Sequence, residues 1–342
     1  MLALGDTSDV PTTLYAMASE PDQRVAVIDL GSNSFRMVVF AVHGASWERE
    51  DELSCAVRIG EGLASTGRLG EAAIRRALHA LDSFTELCSR HDLGGHSIDA
   101  VATSAIRDAE NGEEFLERVR LRTGLEVRIL SREQEARYGY LAAVNSTTLS
   151  DGCVLDLGGG SLQLVRVAGR LARESGSWRL GAVRMTERFL AAEGPAKRGQ
   201  LKALAAHVSR KLERAPWLVA AGPRLVGLGG TIRNLAAAAE LAAGLLSDEV
   251  QGFVIEQAAL DELVGRLAAL PAAERGSVPG IKPARADIVL AGAVVIQTVM
   301  SHGGFSTLEV TGAGLREGIF FERQLVSRQL DAVLASPNVR AA

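Results

Sequence analysis

The stretch Val27-Ile-Asp-Leu-Gly-Ser-Asn-Ser-Phe-Arg-Met-Val38 decides the fold, because the chain contains it twice. A related stretch, Val154-Leu-Asp-Leu-Gly-Gly-Gly-Ser-Leu-Gln-Leu-Val165, follows 127 positions later (27 to 154). Each copy has an apolar run with an Asp near its end, a turn of small residues and a second apolar run. This pattern predicts a β-hairpin in each copy, and the duplication predicts two related halves.

The turns of both repeats are rich in glycine and serine, and a third stretch, Gly229-Gly-Thr231, is similar. A bound phosphate needs many hydrogen-bond donors in a small space, and glycines let the backbone approach it and point successive N–H groups at it. A single Gly/Ser cluster between strands is equally typical of an ordinary turn. Because the cluster occurs twice at equivalent positions, the pattern favours phosphate loops.

The composition restricts the class of protein. With 342 residues and 47% hydrophobic content, the chain is long and apolar enough for two packed domains. A formal net charge of −4 argues against a general binder of nucleic acid or of anionic membranes, because no broad attractive field is present. A polyanionic ligand would therefore need a local cluster of cations.

Cysteine usage and hydropathy indicate a cytoplasmic protein. Cys55, Cys88 and Cys153 are odd in number and widely spaced, which predicts neither a disulfide framework nor a zinc site and fits a reducing compartment. No apolar run approaches the roughly 18 to 20 residues that a membrane helix needs. Residues 1–23 are expected to form a disordered leader, with a weak targeting peptide on residues 12–18 as the alternative. Residues 329–342 are expected to form a flexible tail.

Several further elements alternate between helix and strand. Apolar residues at helical spacing predict an amphipathic helix over 71–90, Asn111 is typical of an N-cap for a helix to about Thr123, and Ser131 with Gln134 forms a capping-box pattern for a helix to about Val144. The predicted strands are residues 98–103, 125–130, 224–228 and 307–310, and a closing helix is predicted to about Leu325.

Taken as an ordered set, these segments resemble the Ppx/GppA phosphatase family. The resemblance covers residues 24–325, and the segments that carry it are 27–36, 102–111, 131–137, 155–161, 227–231, 285–292 and 312–318. It implies an α/β fold of two ribonuclease-H-like domains with a cleft between them, as in the actin, sugar-kinase and chaperone-ATPase superfamily. Domain I would comprise 24–135 plus about 314–328, and domain II would comprise 136–313.

The resemblance also implies a catalytic residue. It places the family's glutamate, the base for the attacking water, at Glu135 in Ser131-Arg-Glu-Gln-Glu-Ala-Arg137. The residues alone do not choose it, because a glutamate in a first helical turn is more often an exposed residue that favours the helix dipole, and Glu133 is an equally plausible local candidate.

Phosphate-binding residues are implied in five segments. Guanidinium groups suit bidentate phosphate contacts, so Arg36, Arg107 and Arg285 are included, although each could also be a surface or ion-paired arginine. Arg118, Arg120, Arg122 and Arg128 could widen a basic approach. The complete predicted set is Gly31, Ser32, Asn33, Ser34, Arg36, Thr103, Ser104, Arg107, Asn111, Gly158, Gly159, Gly160, Ser161, Gly229, Gly230, Thr231 and Arg285.

The implied cofactor is Mg²⁺, which prefers hard oxygen ligands and takes only one or two carboxylates together with waters and phosphates. Asp156 is the main candidate ligand, and Asp29, its equivalent in the first repeat, is the weaker one. Either could instead cap its own turn. The family usually has Glu where this chain has Gln163. The amide adds no negative charge to a cation site and cannot act as a base, so metal affinity and turnover are both in question.

The resemblance implies an Mg²⁺-dependent exopolyphosphatase that removes terminal orthophosphate from inorganic polyphosphate, the 5′-γ-phosphate of guanosine pentaphosphate, or both. Relatives often form homodimers. Two other classes stay open: a catalytically weakened sensor of polyphosphate or of guanosine penta- or tetraphosphate, suggested by Gln163, and a small-molecule kinase on the same scaffold. Matches at residues 103–111 and 131–137 favour the phosphatase over the kinase.

Overall fold

The computed structural model describes residues 20–44, 46–191, 194–245 and 250–334. The predicted leader lies almost entirely outside these ranges, as does the tail from residue 335. Within them, the strands are β1 (Gln23–Leu30), β2 (Phe35–His43), β3 (Ser46–Cys55), β4 (Ile98–Ala102), β5 (Val127–Ile129), β6 (Gly152–Leu157), β7 (Leu162–Ala168), β8 (Leu171–Trp178), β9 (Leu225–Leu228), β10 (Val254–Glu256) and β11 (Thr307–Val310).

The α-helices of the same ranges are α1 (Leu63–Thr66), α2 (Glu71–Arg90), α3 (Ser104–Asp108), α4 (Gly112–Thr123), α5 (Arg132–Ser146), α6 (Ala182–Phe189), α7 (Arg198–Leu212), α8 (Gly230–Ala242), α9 (Gln257–Ala268), α10 (Val289–Gly303) and α11 (Leu315–Leu334). Short 3₁₀ turns cover Gly95–Ser97, Pro216–Ala220, Ala272–Ser277 and Pro283–Arg285.

The strands form two sheets with the same order. The first is β3-β2-β1-β4-β5. Read from the corresponding edge, the second is β8-β7-β6-β9-β11-β10, so it repeats that order and adds β10 at the far edge. In each sheet the first three strands are antiparallel and the next strand is parallel to the first. This is the ribonuclease-H-like arrangement, so the predicted fold class is confirmed.

The two predicted hairpins are confirmed as β1–β2 and β6–β7. In the first, Asp29 is paired with Arg36. In the second, Asp156 is paired with Gln163. The two pairs occupy equivalent positions of the repeat. The aspartate therefore lies opposite a cation in the first hairpin and opposite a neutral amide in the second.

Helix α5 lies between the two sheets. Tyr138 and Leu141 pack with the first sheet and α11, whereas Ala142 and Ala143 pack against the second sheet. Helix α11 crosses α5 at Gly318, whose missing side chain leaves room for the backbone carbonyl of Tyr138. The central helix pair therefore holds the start of α5 firmly between the halves. Separate cores on the outer faces of the sheets bury α2 and α4 in one half and α7 to α10 in the other.

The local predictions agree with the structure at most positions. Helix 71–90 and the helix after Ser131 are confirmed, and both hydrogen bonds of the capping box are present, at 3.2 Å and 2.8 Å. Asn111 occupies the N-cap position of α4, but its side chain makes no capping hydrogen bond, so that part of the prediction is wrong.

The closing helix is longer than predicted, because α11 continues to Leu334. The part of the expected flexible tail up to Leu334 is thus helical, and the rest of it lies outside the described residues. The added residues contain neither Gly nor Pro, which disfavour helix, and the first proline beyond them is Pro337. None of the helices in the described ranges is long and apolar enough to cross a bilayer.

Candidate active site

Both predicted phosphate loops face one cleft. The turn after β1, the turn after β6 and the turn before α8 all line it, together with the first turns of α5 and α11. The cleft volume is about 120 Å³, and its lining is mainly glycine, hydroxyl and charged groups. Such a space suits a few phosphate groups and waters better than a bulky apolar ligand.

The two hairpin turns touch each other. The hydroxyls of Ser32 and Ser104 are 3.0 Å apart, and a side chain on Gly160 would overlap both of them. Gly229 has a φ of +108°, a backbone conformation that favours glycine and turns the chain from β9 into α8. The glycines therefore permit a close approach of three backbone segments around the cleft.

Glu135 lies in the wall of this cleft. It is 5% exposed, whereas Glu133 of the same helical turn points to solvent. Its Oε2 accepts hydrogen bonds from Ser161 Oγ (3.2 Å) and Gln163 Nε2 (3.0 Å), and Arg107 Nη1 donates a short hydrogen bond to Oε1. Burial raises the pKa of Glu135, while Arg107 opposes the increase.

Arg107 orients Glu135 and does not itself line the cleft. Besides its contact with Glu135, its Nη1 donates to the carbonyl of Leu130 at 2.7 Å, and its buried Nε has no hydrogen-bond partner among the described residues. The prediction that Arg107 binds phosphate directly is thus not supported by its position. Arg107 contacts the Glu135 carboxylate but is not part of the cleft lining.

Gln163 is 3% exposed and its amide group points at Glu135. Nε2 also lies 2.9 Å from Ser161 Oγ and 3.3 Å from Ser177 Oγ. Where a glutamate at this position would repel Glu135, the amide stabilises it by donating a hydrogen bond. Gln163 therefore behaves as a neutral partner of the carboxylate.

Asp156 and Asp29 lie at the base of the cleft, at the ends of equivalent strands. Burial raises the pKa of Asp156 to about 7, and the charges of Glu135 and Asp29 add to the increase. Burial raises the pKa of Asp29 to about 6, but Arg316 and Arg36 act against it. Asp156 therefore lies in the more negative surroundings.

Mg²⁺ fits the residues at this position without being fully enclosed by them. The described residues contain no group of three or more His, Cys, Asp or Glu side chains that would hold a metal by themselves. However, Oδ1 of Asp29 is buried and has no hydrogen-bond partner among the described residues, and Asp156 has a raised pKa that a bound cation would lower. One or two carboxylates completed by water and phosphate oxygens is the usual environment of Mg²⁺.

Two cleft arginines were not identified from the sequence. Arg233, in the first turn of α8, and Arg316, in the first turn of α11, line the cleft beside the predicted Arg36 and Arg285. Arg316 stands within the segment 312–318 that carried the family resemblance, which was a usable signal. Arg233 follows the third glycine turn by two residues, but nothing local distinguishes it from a surface arginine of a helix.

Some predicted residues lie elsewhere. The Asn111 side-chain oxygen accepts a hydrogen bond from the Leu69 N–H (2.8 Å), and its side-chain nitrogen donates one to the Leu69 carbonyl (3.1 Å). Asn111 therefore holds two loops together outside the cleft. Thr231 is buried against Gly292, and Gly160 packs between loops without lining the cleft. The remaining predicted residues of the cleft lining are Gly31, Ser32, Asn33, Ser34, Thr103, Ser104, Gly158, Gly159, Ser161, Gly229 and Gly230.

The four surface arginines do not widen the approach to the cleft. Each is ion-paired with a nearby carboxylate: Arg118 with Glu71, Arg120 with Glu117, Arg122 with Asp82 and Arg128 with Asp99. The paired carboxylates balance these positive charges, and none of the four arginines lines the cleft. The prediction of a basic approach formed by these arginines is therefore wrong.

Comparisons with known proteins agree with this geometry. The model of the Ppx/GppA phosphatase family matches residues 49–326. An uncharacterized protein of Streptomyces coelicolor is 34% identical over 86% of this chain and 89% of its own, and exopolyphosphatase 1 of Mycobacterium tuberculosis is 29% identical over 90% and 89%. The crystal structure of the Aquifex aeolicus member of the Ppx/GppA family superposes with a TM-score of 0.74 at 31% identity, covering 89% of this chain and 98% of that one.

Proposed function

Because the chain belongs to the Ppx/GppA phosphatase family, we propose that it is an exopolyphosphatase that hydrolyses the terminal phosphoanhydride bond of inorganic polyphosphate and releases orthophosphate. The observation that carries the proposal is the position of Glu135. A buried carboxylate with a raised pKa faces a small polar cleft between two glycine-rich turns.

Glu135 has the geometry of a base for water. An ionised carboxylate offers about four acceptor positions, and Arg107, Ser161 and Gln163 occupy three of them. One remains for a water molecule. A carboxylate in a cleft can orient that water and take its proton as the oxygen attacks the terminal phosphorus in line. Arg107 favours the charged form of the carboxylate against the effect of burial, and Ser161 restricts its rotation.

The phosphate chain would be held by the turns. Backbone N–H groups of the two hairpin turns and of the turn before α8 would hydrogen-bond the phosphate oxygens, with hydroxyl groups beside them. We propose these contacts for the following residues of the cleft lining: Gly31, Ser32, Asn33, Ser34, Thr103, Ser104, Gly158, Gly159, Ser161, Gly229 and Gly230. Arg36 and Arg285 would supply positive charge.

Mg²⁺ is the proposed cofactor. Asp156 would be its principal protein ligand, with Asp29 as a weaker one, and the bound ion would neutralise the negative charge of the phosphate oxygens and of the departing group. The protein's own contribution is the placement of Asp156 at the strand end, where Gly139 of α5 leaves room beside Oδ2.

Polyphosphate is preferred over guanosine pentaphosphate as the substrate, because the cleft lining is polar and contains no aromatic side chain among the described residues. Hydrolysis of the 5′-γ-phosphate of guanosine pentaphosphate is the second activity in this proposal. The protein is further proposed to act in the cytosol, which suits its three free cysteines, and as a homodimer.

A sensor is the second candidate function, and Gln163 is the observation that favours it. A neutral amide beside Glu135 lowers the negative charge at the site and would weaken the binding of a cation. A catalytically weak protein of this design would bind polyphosphate or guanosine penta- or tetraphosphate and release it unchanged.

A panel of substrates tests the proposal. Orthophosphate release is measured with Mg²⁺ from tripolyphosphate, long-chain polyphosphate and guanosine pentaphosphate, and binding of each compound is measured by calorimetry. Turnover of the polyphosphates supports the exopolyphosphatase. Tight binding of any of the three without turnover would replace it by the sensor.

A further inference from the structure

The carbonyl groups of the two hairpin turns are held in different ways. In the first hairpin turn, residues 31–34, the backbone N–H of Gly60 donates to the carbonyl of Ser32 at 2.9 Å. The backbone N–H of Arg58 donates to the carbonyl of Asn33 at 2.8 Å. The first turn is therefore held by the backbone of its own half of the chain.

The second hairpin turn, residues 158–161, is held partly by a side chain. Gly159 and Gly160 are the equivalents of Ser32 and Asn33, 127 positions later. The carbonyl of Gly159 accepts a hydrogen bond from the backbone N–H of Val183 at 2.9 Å, but the carbonyl of Gly160 accepts one from Nε of Arg184 at 3.3 Å. A guanidinium group thus takes the role that a backbone N–H has in the first turn.

Arg184 belongs to the second half of the chain, yet its guanidinium group is anchored on the first half. Its Nη2 donates to Oδ2 of Asp108 at 2.9 Å, and Asp108 is the last residue of α3. The side chain of Arg184 is 17% exposed and that of Asp108 is 6% exposed. Because removing one partner of a buried ion pair leaves the other charge uncompensated, the hold on the Gly160 carbonyl depends on Asp108.

Helix α3 contacts three parts of the cleft through its five residues. Its first residue, Ser104, touches the first hairpin turn through the hydroxyl contact described above. Arg107 contacts Glu135, and the next residue, Asp108, holds Arg184. One short helix therefore orients the proposed base and supports the second hairpin turn at the same time.

The second hairpin turn also touches the proposed base directly. Ser161 follows Gly160 in the chain, and its Oγ donates to Oε2 of Glu135 at 3.2 Å. In-line attack depends on the alignment of base, water and phosphorus, and a misplacement of about 1 Å can reduce a rate by about 10²-fold. A displaced second turn would therefore change the geometry between Glu135 and the bound phosphate.

We propose that Asp108 is a positioning residue for hydrolysis, which acts through Arg184 on the Gly160 carbonyl and keeps the second hairpin turn aligned with Glu135. The inference rests on the proposed function and deepens it, because neither Asp108 nor Arg184 is part of the cleft lining. Three turns hold the phosphate chain in the proposed function, and only one of them depends on this contact. Loss of Asp108 should therefore reduce turnover more than binding.

Hydrogen exchange of the full chain tests the contact without requiring turnover. Asp108→Asn keeps the shape of the side chain and removes its charge, and we expect faster exchange at the amides of Ala182 and Val183, which donate to the second turn. Exchange in α2 should stay unchanged. Arg179→Gln is the matched control, because Arg179 also pairs with Asp108, at 2.8 Å, but is 56% exposed. Wild-type exchange at both amides in Asp108→Asn would overturn the proposal.

Kinetics with tripolyphosphate measure the coupling between the two residues. Asp108→Asn and Arg184→Gln should each reduce kcat about tenfold or more and weaken tripolyphosphate binding less than about threefold. Because both act through one contact, the double variant should lose little more than the worse single variant. Arg179→Gln should keep the wild-type kcat. Losses that multiply in the double variant, or a loss of binding as large as the loss of kcat, would overturn the proposal.

A second variant guards against misfolding. If Asp108→Asn does not fold, Arg184→Gln removes the same contact from the other half, and faster exchange at Ala182 and Val183 is again required. The inference and the proposed function fail separately. Faster exchange in Asp108→Asn of a protein that gives no turnover removes the hydrolysis and leaves the hold of Asp108 on the turn. Wild-type turnover and exchange in Asp108→Asn remove only the positioning role.

Discussion

Gln163 donates a hydrogen bond of 3.0 Å to Glu135, from the end of one hairpin to the first turn of the central helix. This contact joins the second sheet to the carboxylate that the proposed reaction uses. Together with the ion pair to Arg107, this hydrogen bond holds the Glu135 side chain in place.

Replacing Gln163 by Glu is expected to make the protein depend on Mg²⁺. A carboxylate would then face Glu135 at the position of the amide nitrogen, and two close carboxylates ionise together only when a cation lies between them. The Gln163→Glu variant should have a lower Tm than the wild type in EDTA and recover it when Mg²⁺ is added. Gln297→Glu makes the same change opposite Asp261 on the surface, and its Tm should rise with Mg²⁺ only as much as that of the wild type. An equal Tm of Gln163→Glu in EDTA and in Mg²⁺ would contradict the account.

Removing Arg107 is expected to shift the pH profile of hydrolysis. Arg107 lowers the pKa of Glu135, so Arg107→Gln should raise that pKa, and the base must be ionised to work. The acidic limb of kcat/KM should move to higher pH by about one unit or more. Arg122→Gln, which breaks a surface pair with Asp82, should leave the profile in place. An unmoved acidic limb in Arg107→Gln would show that Glu135 does not set it.

The two aspartates are expected to differ in their effect on Mg²⁺. Asp156→Asn should abolish the stabilisation by Mg²⁺, whereas Asp29→Asn should only weaken it, because Arg36 and Arg316 act on Asp29. Thermal unfolding against Mg²⁺ concentration measures both. If Asp29→Asn reduced the stabilisation by Mg²⁺ more than Asp156→Asn did, the ion would be assigned to the first hairpin.

The raised pKa of Asp156 also affects how the stability of the folded protein depends on pH. Asp156 binds its proton more tightly in the folded than in the unfolded chain, so the Mg²⁺-free protein should lose stability as the pH rises from about 4 to about 7. Asp156→Asn should remove part of this loss, on the order of 1 kcal/mol or more. Urea unfolding at several pH values in EDTA measures it, and an identical pH dependence in the two proteins would contradict the assignment.

The helix pair is expected to tolerate no side chain at Gly318. A methyl group there would overlap the carbonyl of Tyr138, so Gly318→Ala should destabilise the protein by about 1–3 kcal/mol and reduce turnover by moving α5. Gly265→Ala in α9 has open space around it and should be neutral or stabilising. Urea unfolding of both variants gives the comparison, and equal stability would show that α5 and α11 do not depend on this contact.

The repeat and the hairpins were predictable because they are local. The sequence of β1–β2 and of β6–β7 shows the apolar runs and the turn directly, and the capping box of α5 needs only four residues. By contrast, β3 was not predicted. Half of its residues Ser46–Cys55 are charged, since it is an edge strand with much of its surface in solvent.

The convergence of Arg233 and Arg316 on the cleft beside Arg36, and the role of Asn111, were not predicted, because both depend on contacts between residues distant in sequence. Arg233 and Arg316 meet Arg36 only because α8, which packs on the second sheet, and α11, which packs on the first hairpin, reach the same cleft. Asn111 has the residue type and the position of an N-cap, yet the backbone of Leu69 competes for its amide. Local patterns carry no information about such competition.

The most direct test of the central claim is orthophosphate release from tripolyphosphate by Glu135→Gln, with Glu133→Gln as the control from the same helical turn. Glu135→Gln should reduce kcat by about 10²- to 10⁴-fold and preserve tripolyphosphate binding, because it removes the base and keeps the shape of the cleft. Glu133→Gln should be close to the wild type, since Glu133 is exposed. Near-normal turnover by Glu135→Gln would contradict the account.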